Sequence, residues 1–160
     1  MKFNWKLLTC ILVLVVVLTA GAGLAFGLTA DSRRIGDILN NMKDNDFDWI
    51  DTVVKQDDLV VYSSIKGEIT NPMELDIDYQ QSVSLFNWDV TFDIMHIQKT
   101  DITYFYEVKI KDSKYFCGNY INDIKVNIQI NRANKKVDKL VILYQDRGFD
   151  ISITAYKEVL

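Results

Sequence analysis

The side chains best placed for chemistry are carboxylates at alternate positions, one histidine and a series of lysines. Asp44-Asn45-Asp46-Phe47-Asp48 opens like a calcium loop, since oxygen donors at alternate positions suit a cation that takes six to eight of them. The pattern then departs: the sixth position is Trp49 and the twelfth is Lys55, where a turn glycine and a bidentate glutamate are needed. The expectation is a solvated corner in which Asp46 caps a following helix. Glu74, Asp76 and Asp78 alternate along an extended stretch. That spacing places all three on one solvated face, whereas acid–base work needs one of them buried. His96 is the sole histidine. Neither Cys117 nor the scattered aspartates stand at zinc-ligand spacing from it, and no nucleophile elbow occurs. The sequence therefore expects no catalytic residue, no metal ligand and no cofactor; an enzyme with an unrecognised site is the remaining alternative.

The lysines point to binding. Lys109, Lys111, Lys125 and Lys139 fall on consecutive alternating segments, with Phe105 and Gln129 beside them and Arg132, Lys135 and Lys136 in a connector. Such a patch suits an acidic protein surface, lipid headgroups or an anionic envelope polymer. Tyr104 and Tyr106 could line a concave sheet that holds a small apolar ligand. Charge is uneven along the chain. Residues 31–93 carry 5 basic and 14 acidic residues (−9), and residues 94–160 carry 11 and 8 (+3). The sum for residues 31–160, −6, excludes a general nucleic-acid binder.

What positions these residues is set by the front of the chain. Leu7 to Leu28 is an uncharged run of 22 residues. As a helix it would span about 33 Å, enough for a hydrocarbon core of about 30 Å. Its centre is β-branched, but lipid obliges a backbone to satisfy its own hydrogen bonds, and only a helix does so within one segment. Lys2, Phe3, Trp5 and Lys6 precede it, and Asp31, Arg33 and Arg34 follow. A short basic tail before the span favours the amino terminus inside and the carboxyl domain outside. The expected organisation is a cytoplasmic tail at 1–6, an anchor at 7–30 and an extracytoplasmic domain at 31–160. Cleavage after Ala20-Gly21-Ala22 is the alternative and would yield a secreted domain. Thr19, Gly23 and Gly27 share one helical face, and small residues at that spacing allow two anchors to pair. Gly21, Gly23 and Gly27 do not make a dinucleotide loop, because they lie inside one apolar run. Cys10 falls within the run and Cys117 stands alone outside it, so the domain must hold by packing without an internal disulfide.

Behind the anchor the period is first helical. Ile35, Ile38, Leu39 and Met42 form a stripe behind a Ser32 cap, and a second short helix is expected over 47–54, burying Phe47, Ile50 and Val54. The period then changes to 2 and stays there, over Leu59–Ile65, Met73–Tyr79, Trp88–Ile94, Ile102–Ile110, Ile124–Ile130, Val137–Gln145 and Phe149–Ala155. Lys66-Gly67, Asn71-Pro72 and Arg147-Gly148 mark turns. The fold class is α+β: two short helices packed on a curved antiparallel sheet of six or seven strands. Connectors this short allow hairpins and forbid parallel crossovers, so the expected topology is a meander. Two helices followed by a curved antiparallel sheet resemble the NTF2-like cone, whose long third helix has no counterpart in this sequence. Ile69-Thr70-Asn71-Pro72 before LDIDY is similar to the Asn-Pro turn of the late-embryogenesis-abundant type 2 β-sandwich. The functional expectation is a membrane-anchored interaction or assembly module whose partner is itself or another envelope protein.

Overall fold

A computed structural model describes residues 29–43, 46–74, 90–111, 114–116 and 119–158. The chain forms two units, residues 1–38 and 39–160. Of the first, residues 29–38 are described, and they are helical. This helix, α1, covers 29–41. It is already formed at Thr29, so Ser32 lies inside it and is not its cap. Along it Ile35, Leu39 and Met42 are buried and Ile38 is half-buried, as the sequence spacing requires. Asp31 and Arg34 pair one turn apart at 3.6 Å. No helix among the described residues is long and apolar enough to cross a membrane; the run Leu7–Leu28 lies outside them, as do Thr19, Gly23, Gly27, Asp76 and Asp78.

The described residues of the second unit form ten strands: β1 Trp49–Gln56, β2 Leu59–Ile65, β3 Glu68–Thr70, β4 Phe92–Lys99, β5 Thr103–Ile110, β6 Lys114–Phe116, β7 Asn119–Ile121, β8 Lys125–Asn131, β9 Val137–Asp146 and β10 Phe149–Tyr156. Eight of them form one antiparallel sheet in the order β3-β2-β1-β10-β9-β8-β5-β4, and β6 and β7 form a separate hairpin. The expected count of six or seven strands is thus exceeded. A simple meander is also not what forms. The first and last strands are neighbours, β1 against β10, and β5 pairs with β8 across the β6–β7 hairpin.

The second expected helix is absent. Residues 49–56 are strand β1, paired on both sides. Phe47, Ile50 and Val54 fit a helical face, but Ile50, Thr52 and Val54 fit a strand face equally well. The polar Thr52, 4% exposed on the inner face, breaks the apolar alternation that would have revealed the strand. Asp57 and Asp58 both take positive φ, 49° and 65°. That closes a two-residue hairpin of the kind that matches strand twist, and aspartate tolerates it. With the hairpin closed, residues 49–56 are held against β2. The same pair of positive φ values closes Lys66-Gly67 (48°, 83°) and Arg147-Gly148 (50°, 83°), the two turns marked by glycine in the sequence. Asn71-Pro72 also turns, with the Glu74 amide donating to the Asn71 carbonyl at 3.2 Å. Among the described residues, one helix before the sheet strands departs from the element order that carried the resemblance to the NTF2-like cone.

The inner face of the sheet is read as cross-strand rows. One runs Val108, Val126, Ile142, Ile153 and Thr52; a second runs Tyr106, Ile128, Leu140, Ala155 and Ile50; a third runs Tyr144, Ile151, Val54 and Tyr62. Nearly all of these are buried. Each fully buried Ile or Val contributes roughly 1.5–3 kcal/mol of transfer free energy. Because successive side chains point to opposite faces, this alternation also fixes which residues form the outer face.

Candidate functional site

Three features of the second unit gather polar side chains: the outer face, a clasp at the carboxyl end, and one pair of turns. On the outer face Lys109 and Lys125 are direct cross-strand partners. Like charges so placed repel, and nearby carboxylates offset this. The Lys109 ammonium binds the Asp123 carboxylate, whose pKa is lowered by that hydrogen bond and by the lysine charge. The Lys111 ammonium lies 2.7 Å from Asp93. Lys139 stands in a different row, between Gln129 and Tyr156. Four residues along a strand separate that row from Lys125, about 13 Å at 3.3 Å per residue. The expected patch is therefore divided: three lysines adjoin, two of them with carboxylate partners, and the fourth is apart.

Beside Lys125 an open groove of about 450 Å³ crosses β1, β10 and β9. Its floor is Val53, Leu143 and Ser152. Lys125 and Asp123 stand on one lip, and Lys55, Asp58 and Asp150 on the other. The signs alternate around it, so it presents no single-sign field to an anionic polymer. Its size is that of a small-ligand site, although it is open to solvent.

The clasp joins β1, the β2–β3 turn and the carboxyl end. The Tyr156 hydroxyl donates to Asp51 at 3.1 Å, and the Lys66 amide donates to the same carboxylate at 2.8 Å. The Lys66 ammonium reaches Glu158 at 3.2 Å and sits 5.6 Å above the Trp49 ring. The Glu158 amide donates to Asp48 at 2.9 Å. Glu158 raises the pKa of Lys66 by hydrogen bond and by charge; partial burial and then Asp51 raise that of Tyr156. These groups hold one another, which is a structural arrangement rather than a reactive one. Asp48, the last carboxylate of the calcium-like opening, accepts from backbone here, and Asp46, expected to cap a helix, accepts from the Lys43 amide at 2.9 Å. Asp44 and Asn45 lie outside the described residues. Among the described residues no group of three or more acidic, histidine or cysteine side chains is placed to hold a metal.

His96 is exposed on β4, an edge strand, opposite Glu107, with its ring tilted 57° to that of Phe105 at 6.5 Å. Tyr106 is fully buried and belongs to the core, so Tyr104 and Tyr106 do not line a ligand cavity together. Tyr104 lies at the end of the sheet, where three cations approach its ring: Lys135 at 5.0 Å, and Lys99 and Arg132 each at 5.7 Å. Lys99 is not among the lysines that the alternating segments single out. The signal that could have found it is the pairing of β5 with β8, which sets the Lys99-Thr100-Asp101 connector beside Arg132-Ala133-Asn134-Lys135-Lys136. Comparison with protein-family models, with curated proteins and with solved structures yields no match for this chain.

Proposed function

We propose that this chain is a single-pass membrane protein whose sheet body lies outside the membrane and acts by binding, with itself or another envelope protein as partner. The observation that carries the reading is the uncharged 22-residue run Leu7–Leu28 behind a short basic tail, a length matched to lipid. Binding is preferred to catalysis because the charged groups of the body pair with one another at its surface, as Lys109 does with Asp123 and Lys111 with Asp93. The test is an alkaline carbonate wash of membranes followed by intact mass of the retained chain. The full-length species of 18.5 kDa in the pellet is expected. A shortened chain in the medium, beginning after Ala22, would replace the anchor with a cleaved signal.

The groove over Val53, Leu143 and Ser152 favours a second reading, a carrier of a small ligand with an apolar body. A ligand of the native state raises its melting temperature, by about 2.7 kcal/mol of stabilisation at a hundredfold excess over Kd. A thermal-shift screen of the purified chain against lipids and envelope glycans separates this reading from the first.

A further inference from the structure

The two ends of the sheet differ in charge. At one end lie the β1–β2 and β9–β10 turns, with Asp57, Asp58 and Asp146 against Arg147. At the other end lie the β2–β3 turn with the clasp and, across the sheet from them, the β4–β5 and β8–β9 turns. Residues 99–102 and 132–136 hold Lys99, Arg132, Lys135 and Lys136 against the one carboxylate of Asp101, which Arg132 approaches at 3.8 Å. The same pair of turns carries Ile102, an aliphatic side chain 76% exposed.

Hydrogen bonds tie the turns of this end together. The Arg132 amide donates to the Ile102 carbonyl at 2.9 Å, and the Arg132 guanidinium donates to the Thr100 carbonyl at 3.1 Å. The Thr100 hydroxyl accepts from the Thr103 amide at 3.0 Å. Across the second turn the Asn131 side chain accepts from the Ala133 amide at 2.9 Å, and that of Asn134 from the Lys136 amide at 2.8 Å. The Tyr104 ring gathers Lys99, Arg132 and Lys135 at this end. The chain also enters the sheet at this end. Trp49, the first residue of β1, shares its cross-strand row with Tyr156, Lys139, Gln129 and Phe105, two residues short of these turns.

We propose that the end formed by the β4–β5 and β8–β9 turns docks on a bilayer of anionic phospholipid, with Ile102 entering the interface and Lys99, Arg132, Lys135 and Lys136 meeting the headgroup phosphates. The choice of a membrane as occupant rests on the anchored reading above and on charge, since four cations against one carboxylate complement an anionic headgroup surface. Cationic side chains around one protruding apolar group suit the boundary between headgroups and acyl chains, where apolar burial and attraction to anionic lipid add. Each basic residue near such a surface strengthens the contact about fivefold.

The test uses the full chain with Cys10→Ser and Cys117→Ser, carrying a bimane label at Ile102→Cys or, as a control at the opposite end, at Leu59→Cys. Each is reconstituted in vesicles that contain lipid-borne nitroxide quencher. Phosphatidylglycerol mixed into phosphatidylcholine is compared with phosphatidylcholine alone, and flotation of the vesicles reports anchoring separately. The expected result is quenching at 102 in the anionic vesicles only, lost in about 1 M salt, where the Debye length is about 3 Å. Replacing Lys99, Arg132, Lys135 and Lys136 by Gln abolishes it, and 59 stays unquenched. Flotation with no quenching at 102, or equal quenching in neutral vesicles, overturns the docking and leaves the anchor standing. Quenching at 102 by anionic vesicles without flotation in neutral ones overturns the anchor and leaves the docking standing. A change at 102 that follows protein density rather than lipid charge assigns this end to the acidic end of a second copy and overturns the proposal.

Discussion

Replacing Ile153 by Ala, with Ser152→Ala as its neighbour, tests the register on which every placement above depends. Ile153 is 0% exposed on β10, with Thr52 on one side and Ile142 on the other. Ser152 is half-buried and faces the groove. The first substitution removes three carbons, about 2.4 kcal/mol of transfer free energy at 0.8 kcal/mol per methylene. The space left between two central strands collapses only in part, which brings the cost to about 3–4 kcal/mol. Ser152→Ala should stay within about 0.5 kcal/mol, as surface changes do. A unit of 122 residues (160 − 38) loses about 4 °C of Tm per kcal/mol. Ile153→Ala should therefore melt about 12–16 °C lower, and Ser152→Ala within about 2 °C of the parent. The assay is thermal unfolding of the full chain in mild detergent, followed by circular dichroism. A larger loss at 152 than at 153 would refute the reasoning, because a slip of one residue exchanges the two faces.

Three further outcomes follow from the geometry. Gly148 has φ +83° with open space around it, so Gly148→Ala meets backbone strain and no collision; a loss of about 1–2 kcal/mol is expected in urea unfolding, and an unchanged midpoint would show the turn to be of another type. Lys66 and Tyr156 both have pKa values raised by the fold. Their share of stability is complete below the ordinary values near 10 and declines as pH rises through the raised ones. Glu158→Gln removes the main cause at Lys66, so its melting curve should depend less steeply on pH above about 10; a dependence identical to the parent contradicts the clasp. Asp123 is lowered by Lys109, so its contribution is present above the ordinary carboxylate range and is lost as pH falls through the lowered value. Lys109→Gln should bring the Asp123 carbon resonance back to an ordinary titration midpoint, as read by NMR, and a midpoint that does not move would exclude the pair.

β5, β8 and β10 were legible because apolar and polar residues alternate there, β9 because its apolar run is nearly continuous, and Arg147-Gly148 marks the last hairpin; β6 and β7 were not, and fell within an expected connector. β1 was not, because Thr52 occupies an inward position and because two aspartates, rather than a glycine, close the turn after it. Pairing of β1 with β10 joins residues about a hundred positions apart, and no local pattern encodes that. The lysines illustrate the same division. Alternation placed Lys109 and Lys125 correctly on one face, but only the cross-strand register shows that Lys139 lies elsewhere. That register also shows Lys99, Arg132 and Lys135 meeting at Tyr104, although they come from connectors that are remote in sequence.

The account rests on a body held outside a membrane by the run Leu7–Leu28, and accessibility of single cysteines in intact cells tests this most directly. In a chain with Cys10→Ser and Cys117→Ser, Leu59→Cys lies on a side chain 72% exposed, far from the turns assigned to lipid. Asn4→Cys lies ahead of the apolar run. With a membrane-impermeant maleimide, position 59 should label on cell-associated chain without permeabilisation, and position 4 only after it. Labelling at 4 but not at 59 before permeabilisation, or a chain recovered free in the cytosol, would contradict the account.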